Sequence, residues 1–579
     1  MSRFKYAMID IEATGLSRFK NEITYIGAGL AEEIGQPLSK SYIFNMFKPK
    51  DVARFKKFCT WMRANKIKIV WQNGKFDTLF IEWKLGVVLP IHHDVMLLGT
   101  AYDMAASHKL KDMGPTYLGV PNWDIPLKEK IKPNNPIVEK YLESDLSVPW
   151  ELFNFFHARI TDKQWLIYNQ LLKPAYLMYR RVERTGIYLD RKKLATVKKE
   201  YKHQEVTKLA ELNSIHPINW NSPVQVSKAL FNQNVANALP VLKRSGKTGL
   251  PSADAKVLKR LSAQGHDLPQ KLLDYKFYYG ANTKFLNKWG IFASYDGRIH
   301  PSFNLSIART GRTSCSDPNL QQVPRNKELR TMFTAEEGRV MLEADYSQIE
   351  LRIAADYSND PTMIKVYHTP GGDIHTETGC SLAGCSPENL SKDDRSKAKP
   401  VNFGFLFGMM AKGFVDYAYD NYGVIFTLKE AQRYRELFFA KYGRLLPWHE
   451  EMGKLCERDG GVENRWGQFR ALPDIYSRDW GEKSGAQRRA INTPVQSTAS
   501  GLLLLAAVEI DHTLRKEMDL KIVGTVHDAV LLDIPADCVK DATREVKRIM
   551  AHPSAMDIFG VEFKVPIIAD VGVGAWGAK

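Results

Sequence analysis

Cysteine is scarce in this 579-residue chain, and none of the six (Cys59, Cys315, Cys380, Cys385, Cys456, Cys538) stands in a CxxC pair. That argues against a zinc module and suits a reducing compartment, with the thiols read as plain core or surface groups. Long hydrophobic runs are missing as well. The richest, GLLLLAAV from Gly501, is far too short to span a bilayer, and the N-terminal MSRFKYAMIDIEATGL has no apolar stretch before a cleavage site. A cytoplasmic protein with no membrane partner is therefore expected. There are no internal repeats and no low-complexity linker. One apparent phosphate loop fails: the GKT beginning at Gly246 lacks the glycine five positions earlier, where Val241 stands. Acidic charge is also in short supply, since 81 Lys and Arg against 65 Asp and Glu leave a formal charge of +16. Such an excess favours a polyanionic partner, because each cation that neutralises a phosphate releases a condensed counterion.

What is present exceeds one hydrophobic core, so several domains are expected. The first 150 residues alternate strand-like pieces (KYAMIDIEATGL, KIKIVWQ, VLPIHHDVML) with helical ones such as DVARFKKFCTWMRANK, the pattern of an α/β layer. From about 160 to 290 the pattern is mostly helical. After that, short strands (RVMLEADYS, KIVGTVHDAVLLDI) flank a long helical middle from about 390 to 485, which reads as one sheet interrupted by a helical insertion.

Two groups of residues carry chemistry. In MIDIEATG, Asp10 and Glu12 are two apart, so on a strand both carboxylates point to one face and repel unless a cation lies between them. NGKFDTLF adds Asp77, and KYLESDLS places Tyr141 and Asp145 at i and i+4 on one helical face. Each acid alone reads equally as a solvated loop residue or a helix cap. Together, four carboxylates are enough to bind two Mg²⁺ or Mn²⁺ ions for phosphodiester cleavage.

The second group begins with RVMLEADYSQIELRIAA, an apolar strand ending in Asp345, with Glu350 just inside the following helix. DDRSKAKPVNFGFLFGM then sets Arg395, Lys399, Phe403 and Phe407 at successive i+4 steps, two cations followed by two aromatics. That order suits a nucleotide, although an amphipathic helix with a basic end reads the same way. In TVHDAVLLDI, two apolar runs enclose His527 and Asp528 and read as a hairpin whose tight turn lifts both to a sheet edge.

These stretches resemble known families. DIE, NxxxD and YxxxD in order resemble the DEDDy type of 3′–5′ proofreading exonuclease. DYSQIELR, RSKAKPVNFGFLFG and VHDAV resemble motifs A, B and C of family A DNA polymerases, the group of bacterial polymerase I and many bacteriophage replicases. ARTGRTSCSDPNLQQVP, DIHTETG and RRAINTPVQSTASG add further family text. The resemblance implies an α/β and α+β multidomain fold: an RNase H-like exonuclease over 1–160, then a right-hand polymerase over 161–579. Within the latter it implies a thumb at about 190–290, a palm at about 291–390 and 486–579, and fingers at about 391–485.

By the same resemblance, Asp10, Glu12, Asp77 and Asp145 are metal ligands, Tyr141 orients the attacking water, and Asn73 supports the site. Asp345 and Asp528, with Tyr346, hold metal at the second site, giving two Mg²⁺ ions at each, or Mn²⁺ instead. His375, Arg395, Lys399, Phe403, Phe407, Tyr346 and Glu350 contact the incoming dNTP, with Glu350 excluding a ribose 2′-hydroxyl. Phe403, where tyrosine is the alternative, implies discrimination against dideoxynucleotides. Arg312, Asn319, Gln321, Asn492, Gln496 and His527 lie along primer–template DNA. Helicase, primase and single-strand binding protein are further implied partners of a monomer that replicates a phage genome without a 5′-nuclease domain.

Three departures from the family pattern stand out. Ala529 replaces the Glu usual after HD, Pro400 follows the nucleotide lysine inside a helix, and Phe407 stands where Tyr is common. Proline at that position predicts a kink or a helix start. Two other readings remain open: a 3′–5′ exonuclease whose second half only grips DNA, and a non-catalytic replisome scaffold.

Overall fold

The computed structural model describes residues 2–232 and 238–578. It divides into two compact units, one of residues 1–186, 301–321 and 338–573, the other of 187–300, 322–337 and 574–579. The first unit thus carries both the N-terminal α/β layer and a second sheet.

The N-terminal sheet has strands β1 (Tyr6–Ala13), β2 (Ile23–Ala31), β3 (Lys40–Asn45), β4 (Lys68–Trp71) and β5 (His93–Asp94), in the order β3-β2-β1-β4-β5. β1 pairs antiparallel with β2 and parallel with β4. Helices α1 (Pro49–Ala64), α2 (Gly74–Leu85), α3 (Val95–Tyr102) and α4 (Pro136–His157) complete the layer. VLPIHHDVML is not the strand its apolar content suggests. It supplies only the two residues of β5, because the Asp94 carboxylate caps α3 by accepting from the Met96 N–H at 3.0 Å and the Leu97 N–H at 3.4 Å.

Helix α5 (Lys173–Thr185) leads out of this layer. In the second unit, β6 (Ile187–Leu189) pairs with β7 (Arg298–Ile299) and with β8 (Phe333–Thr334). Its core gathers Leu212 of α6 (Arg191–Ile215), Leu272 and Tyr275 of α7 (Asp267–Ala281), and Trp220 and Leu258 between them. The stretch at about 190–290 lies within this unit.

The second sheet of the first unit has strands β9 (Arg339–Tyr346), β10 (Lys521–Val526), β11 (Ala529–Pro535) and β12 (Ala569–Val573), all antiparallel, in the order β10-β11-β9-β12. Helices intervene between β9 and β10, and they begin well before 390: α8 (Ile349–Ser358), α9 (Ile374–Ala383), α10 (Lys392–Leu406) and, later, α11 (Trp480–Glu517); α12 (Val539–Ala551) follows β11. The apolar run GLLLLAAV is the buried middle of α11. Gly501 opens it because a Cβ there would lie 2.2 Å from the Trp466 indole nitrogen, which donates to the Thr498 carbonyl at 2.9 Å. Pro400 neither starts nor ends α10, which runs from Lys392 to Leu406 with Pro400 buried inside it. Phe407, expected on the same face as Phe403, falls one residue beyond the helix end, at the cap.

Candidate active sites

The alternation of β1 sets Asp10 and Glu12 on one face, and α4 brings Asp145 to them, so that ligand oxygens of the three acids lie within 4.8 Å of one another. They line a cavity of about 550 Å³ shared with Asn73, Tyr141 and Lys111. Asp77, the fourth expected ligand, stands outside this trio. From the first turn of α2 its carboxylate accepts from the Ile11 N–H at 3.2 Å, bracing the strand between the two acids. Asn73 occupies the left-handed region at φ 59 and accepts from the Tyr176 hydroxyl at 3.2 Å.

Crowding three acids in a partly closed space has an electrostatic consequence. Asp10 is pushed well above the ordinary carboxylate range, by burial first and then by Asp145, Asp77 and Glu12. Burial raises Glu12 to about 7, against the pull of Lys130. Burial also raises Asp77. Two lysines that the sequence reading missed answer this charge. Lys111 pairs with Asp145, and Lys130 reaches Glu12 at 3.4 Å and the Tyr141 hydroxyl at 2.6 Å. Their ammonium groups sit 4.5 and 4.1 Å from the centre of the Tyr141 ring. Trp123 adds a hydrogen bond to Asp145 at 2.7 Å. No motif spacing betrays these three, because they come from the connection between α3 and α4, Lys111 and Lys130 on four-residue helices and Trp123 on irregular chain. The donor set, carboxylate oxygens needing cationic charge, fits a hard divalent ion.

In the second sheet, β10 and β11 form the expected hairpin with a two-residue turn at His527 and Asp528. His527 holds φ 55, a backbone state that favours Gly, Asn or Asp in such turns. The turn carries Asp528 beside Asp345: the Tyr346 N–H donates to the Asp528 carbonyl at 3.2 Å, and Asp345 pairs across the sheet with Ala529. Asp345 also pairs with Asp570 on the other side, so Ala529, Asp345 and Asp570 share one face. Asp570, an acid within the strand-like text IIADVGV, was not foreseen. Burial raises Asp528, and Arg312 and His527 oppose the rise. Both acids offer hard oxygen donors that fit a divalent cation. The Tyr346 phenol is buried and donates to the Met550 carbonyl at 2.8 Å, so a part for this residue in holding metal or nucleotide would fall to its main chain.

Of the expected nucleotide residues, Glu350 lies on α8, His375 on α9, and Arg395, Lys399 and Phe403 on α10, with Phe407 at its C-terminal cap and Tyr346 at the end of β9. Asp373 caps α9 and accepts from both Nε (2.9 Å) and Nη2 (2.6 Å) of Arg395. Burial lowers His375 to about 4, leaving it neutral at pH 7. Its Nδ1 lies 2.8 Å from the Asn402 amide, a donor, which puts the ring proton on Nε2. The His375 and Phe403 rings are 6.0 Å apart. Arg312 forms an ion pair with Glu350. Gln321 donates to the Thr525 carbonyl at 3.3 Å, two residues before the hairpin turn, and the Asn319 side-chain oxygen is buried without a hydrogen-bond partner. Asn492 and Gln496 are one turn apart on α11, both half-buried.

Helix α5 touches both sites. Tyr176 bonds Asn73 and accepts from the Lys75 N–H at 2.9 Å; one turn on, Tyr179 bonds Thr525 at 2.8 Å and Thr313 at 3.1 Å. One turn beyond Tyr179, Glu183 forms a buried ion pair with Lys75, and its carboxylate also accepts from the Phe303 N–H at 2.6 Å.

Comparison with known sequences gives the lineage. Residues 191–578 match the profile of DNA polymerase family A. The chain belongs to that family. Two family A relatives are the thermostable DNA polymerase I of Thermus thermophilus, 33% identical over 440 residues (73% of this chain, 50% of the relative), and DNA polymerase I of Pseudomonas aeruginosa, 31% identical over 410 residues (69% and 43%). The chain thus spans about half the length of these family A proteins. Its fold is similar to the structure described as the POL domain of Pol1 from M. smegmatis in complex with DNA primer-template and dNTP. The TM-score is 0.81 at 22% identity, covering 100% of this chain and 96% of that one.

Proposed function

We propose that the chain extends the 3′ end of a DNA primer on a DNA template, and that its N-terminal layer removes 3′ nucleotides as a proofreading exonuclease. The observation that carries the first activity is the β10–β11 turn, which sets Asp528 beside Asp345 on the sheet of a family A chain. The cluster of Asp10, Glu12 and Asp145 supports the second.

Asp345 and Asp528 would hold divalent cations, Mg²⁺ or Mn²⁺, at the polymerase site, and Asp10, Glu12 and Asp145 at the exonuclease site. A cation so held supplies charge neutralisation at the transferred phosphoryl group and lowers the pKa of the attacking hydroxyl or water. The residues do the positioning. Neutral His375 donates from Nε2 toward a triphosphate oxygen. Arg395 exchanges the Asp373 carboxylate for phosphate, and Lys399 adds a second cation one turn along α10. Phe403 stacks on the nucleotide, while Glu350 closes the space a 2′-hydroxyl would need. Arg312, Asn319, Gln321, Asn492, Gln496 and His527 align the duplex. At the exonuclease site, Tyr141, held between two ammonium groups, orients the attacking water.

A labelled primer–template incubated with Mg²⁺, with and without all four dNTPs, tests both. Extension with dNTPs and shortening without them are expected. Shortening regardless of dNTPs would leave only a nuclease, and an unchanged primer would leave a DNA-binding scaffold.

A further inference from the structure

Two of the six cysteines, Cys380 and Cys385, lie five residues apart, and a helix end sets their side chains against each other. Helix α9 closes on Gly384, whose φ of 67 and ψ of 35 are left-handed. The Gly384 N–H donates to the Cys380 carbonyl at 2.8 Å, and the Cys385 N–H donates to the same carbonyl at 3.2 Å. The second bond is the six-to-one link of a Schellman closure. In that closure the side chain after the glycine folds back onto the side chain five residues earlier, where proteins commonly place a hydrophobic contact. Here both positions are cysteine. Burial and then the neighbouring Cys385 thiol raise the Cys380 thiol, neither cysteine is bonded to another sulfur, and both are half-buried, within reach of small solutes. Cys59, Cys315 and Cys456 are buried instead.

A metal site is a poor fit. The acid beside Cys380 is Glu377, already paired with Lys441, so the two thiols fall short of the four ligands a structural zinc requires.

We propose that Cys380 and Cys385 are a redox modification site, closing to an intramolecular disulfide when the protein meets a peroxide. One thiol attacks hydrogen peroxide, takes one oxygen as a sulfenic acid and releases water. The neighbouring thiol then displaces the sulfenic hydroxyl as a second water and forms the S–S bond. Two thiols and one peroxide thus give one disulfide and two waters, and a dithiol reductant reverses the reaction. The pairing stops oxidation before the irreversible sulfinic acid, on the helix whose other end carries Asp373 and His375.

The test uses the full chain, reduced, treated with hydrogen peroxide, alkylated and mapped by mass spectrometry, with no DNA present, so its outcome is independent of the proposed polymerase activity. The peptide holding both cysteines should be two hydrogens lighter and unalkylated, and dithiothreitol should restore two alkylation sites. Cys385→Ser should leave Cys380 alkylated or driven to sulfinic acid, and Cys380→Ser should do the same to Cys385. Wild-type protein that keeps both thiols alkylatable, or carries each oxidised separately, would overturn the proposal.

Discussion

The two carboxylate sites solve the same electrostatic problem differently. The N-terminal cluster packs three acids within 4.8 Å and offsets them with built-in cations, Lys111 and Lys130. The second sheet sets Asp528 at a hairpin turn beside Asp345 near the end of β9, and it fills the flanking position with alanine. A cluster that supplies its own counter-charge keeps its shape alone, whereas acids at a turn and near a strand end depend on the backbone to aim them. The comparison teaches that the second site should be the more sensitive to backbone change and the first to pH.

The largest effects should separate the sites outright. Asp528→Ala should cut primer extension by on the order of 10³-fold while leaving shortening intact. Asp10→Ala with Glu12→Ala should do the reverse. Gel assays on one labelled primer decide it: surviving extension in the first variant removes Asp528 from the proposed chemistry, and surviving shortening in the second removes the cluster.

A pH effect should follow from Glu12, which burial raises from 4.5 to about 7. Across that window the folded, metal-free protein holds a proton that the unfolded chain has released, so stability falls as pH rises. Denaturant midpoints in EDTA should therefore decline from pH 4.5 to 7 more steeply in wild type than in Glu12→Gln, and Mg²⁺ should flatten the difference. Identical slopes in EDTA would show that Glu12 does not titrate there.

Smaller effects should come from α5. Tyr179→Phe removes hydrogen bonds to Thr525 and Thr313, a loss of about 1 kcal/mol, or roughly fivefold if it falls on the active geometry. It should lower extension more than shortening, with Tyr176→Phe showing the opposite bias. Equal losses in both assays would make α5 a plain support. The smallest change is expected from His527→Gly, which relieves a left-handed backbone state and should stabilise the fold by up to about 1 kcal/mol in a thermal melt while weakening extension.

Much of this was legible in sequence where the signal was local. The DIE and YxxxD spacings foretold acids on one strand face and one helix face, and the apolar runs around His527 and Asp528 foretold the hairpin. The strand assignment of VLPIHHDVML failed because one side-chain cap outweighed its apolar content. Lys111, Lys130 and Asp570 were invisible for another reason: their importance lies in what stands opposite them, which no spacing encodes.

Sequence by itself determined the family, the order of the carboxylate motifs and the absence of an acid at Ala529, since these are properties of residue identity and short-range period. Tertiary structure alone decided that Asp77 braces β1 instead of joining the trio, that Tyr346 turns its phenol into the core, and that Asp570 flanks Asp345. Register and packing between distant strands settle such pairings, and a shift of one residue would turn each side chain to the opposite face.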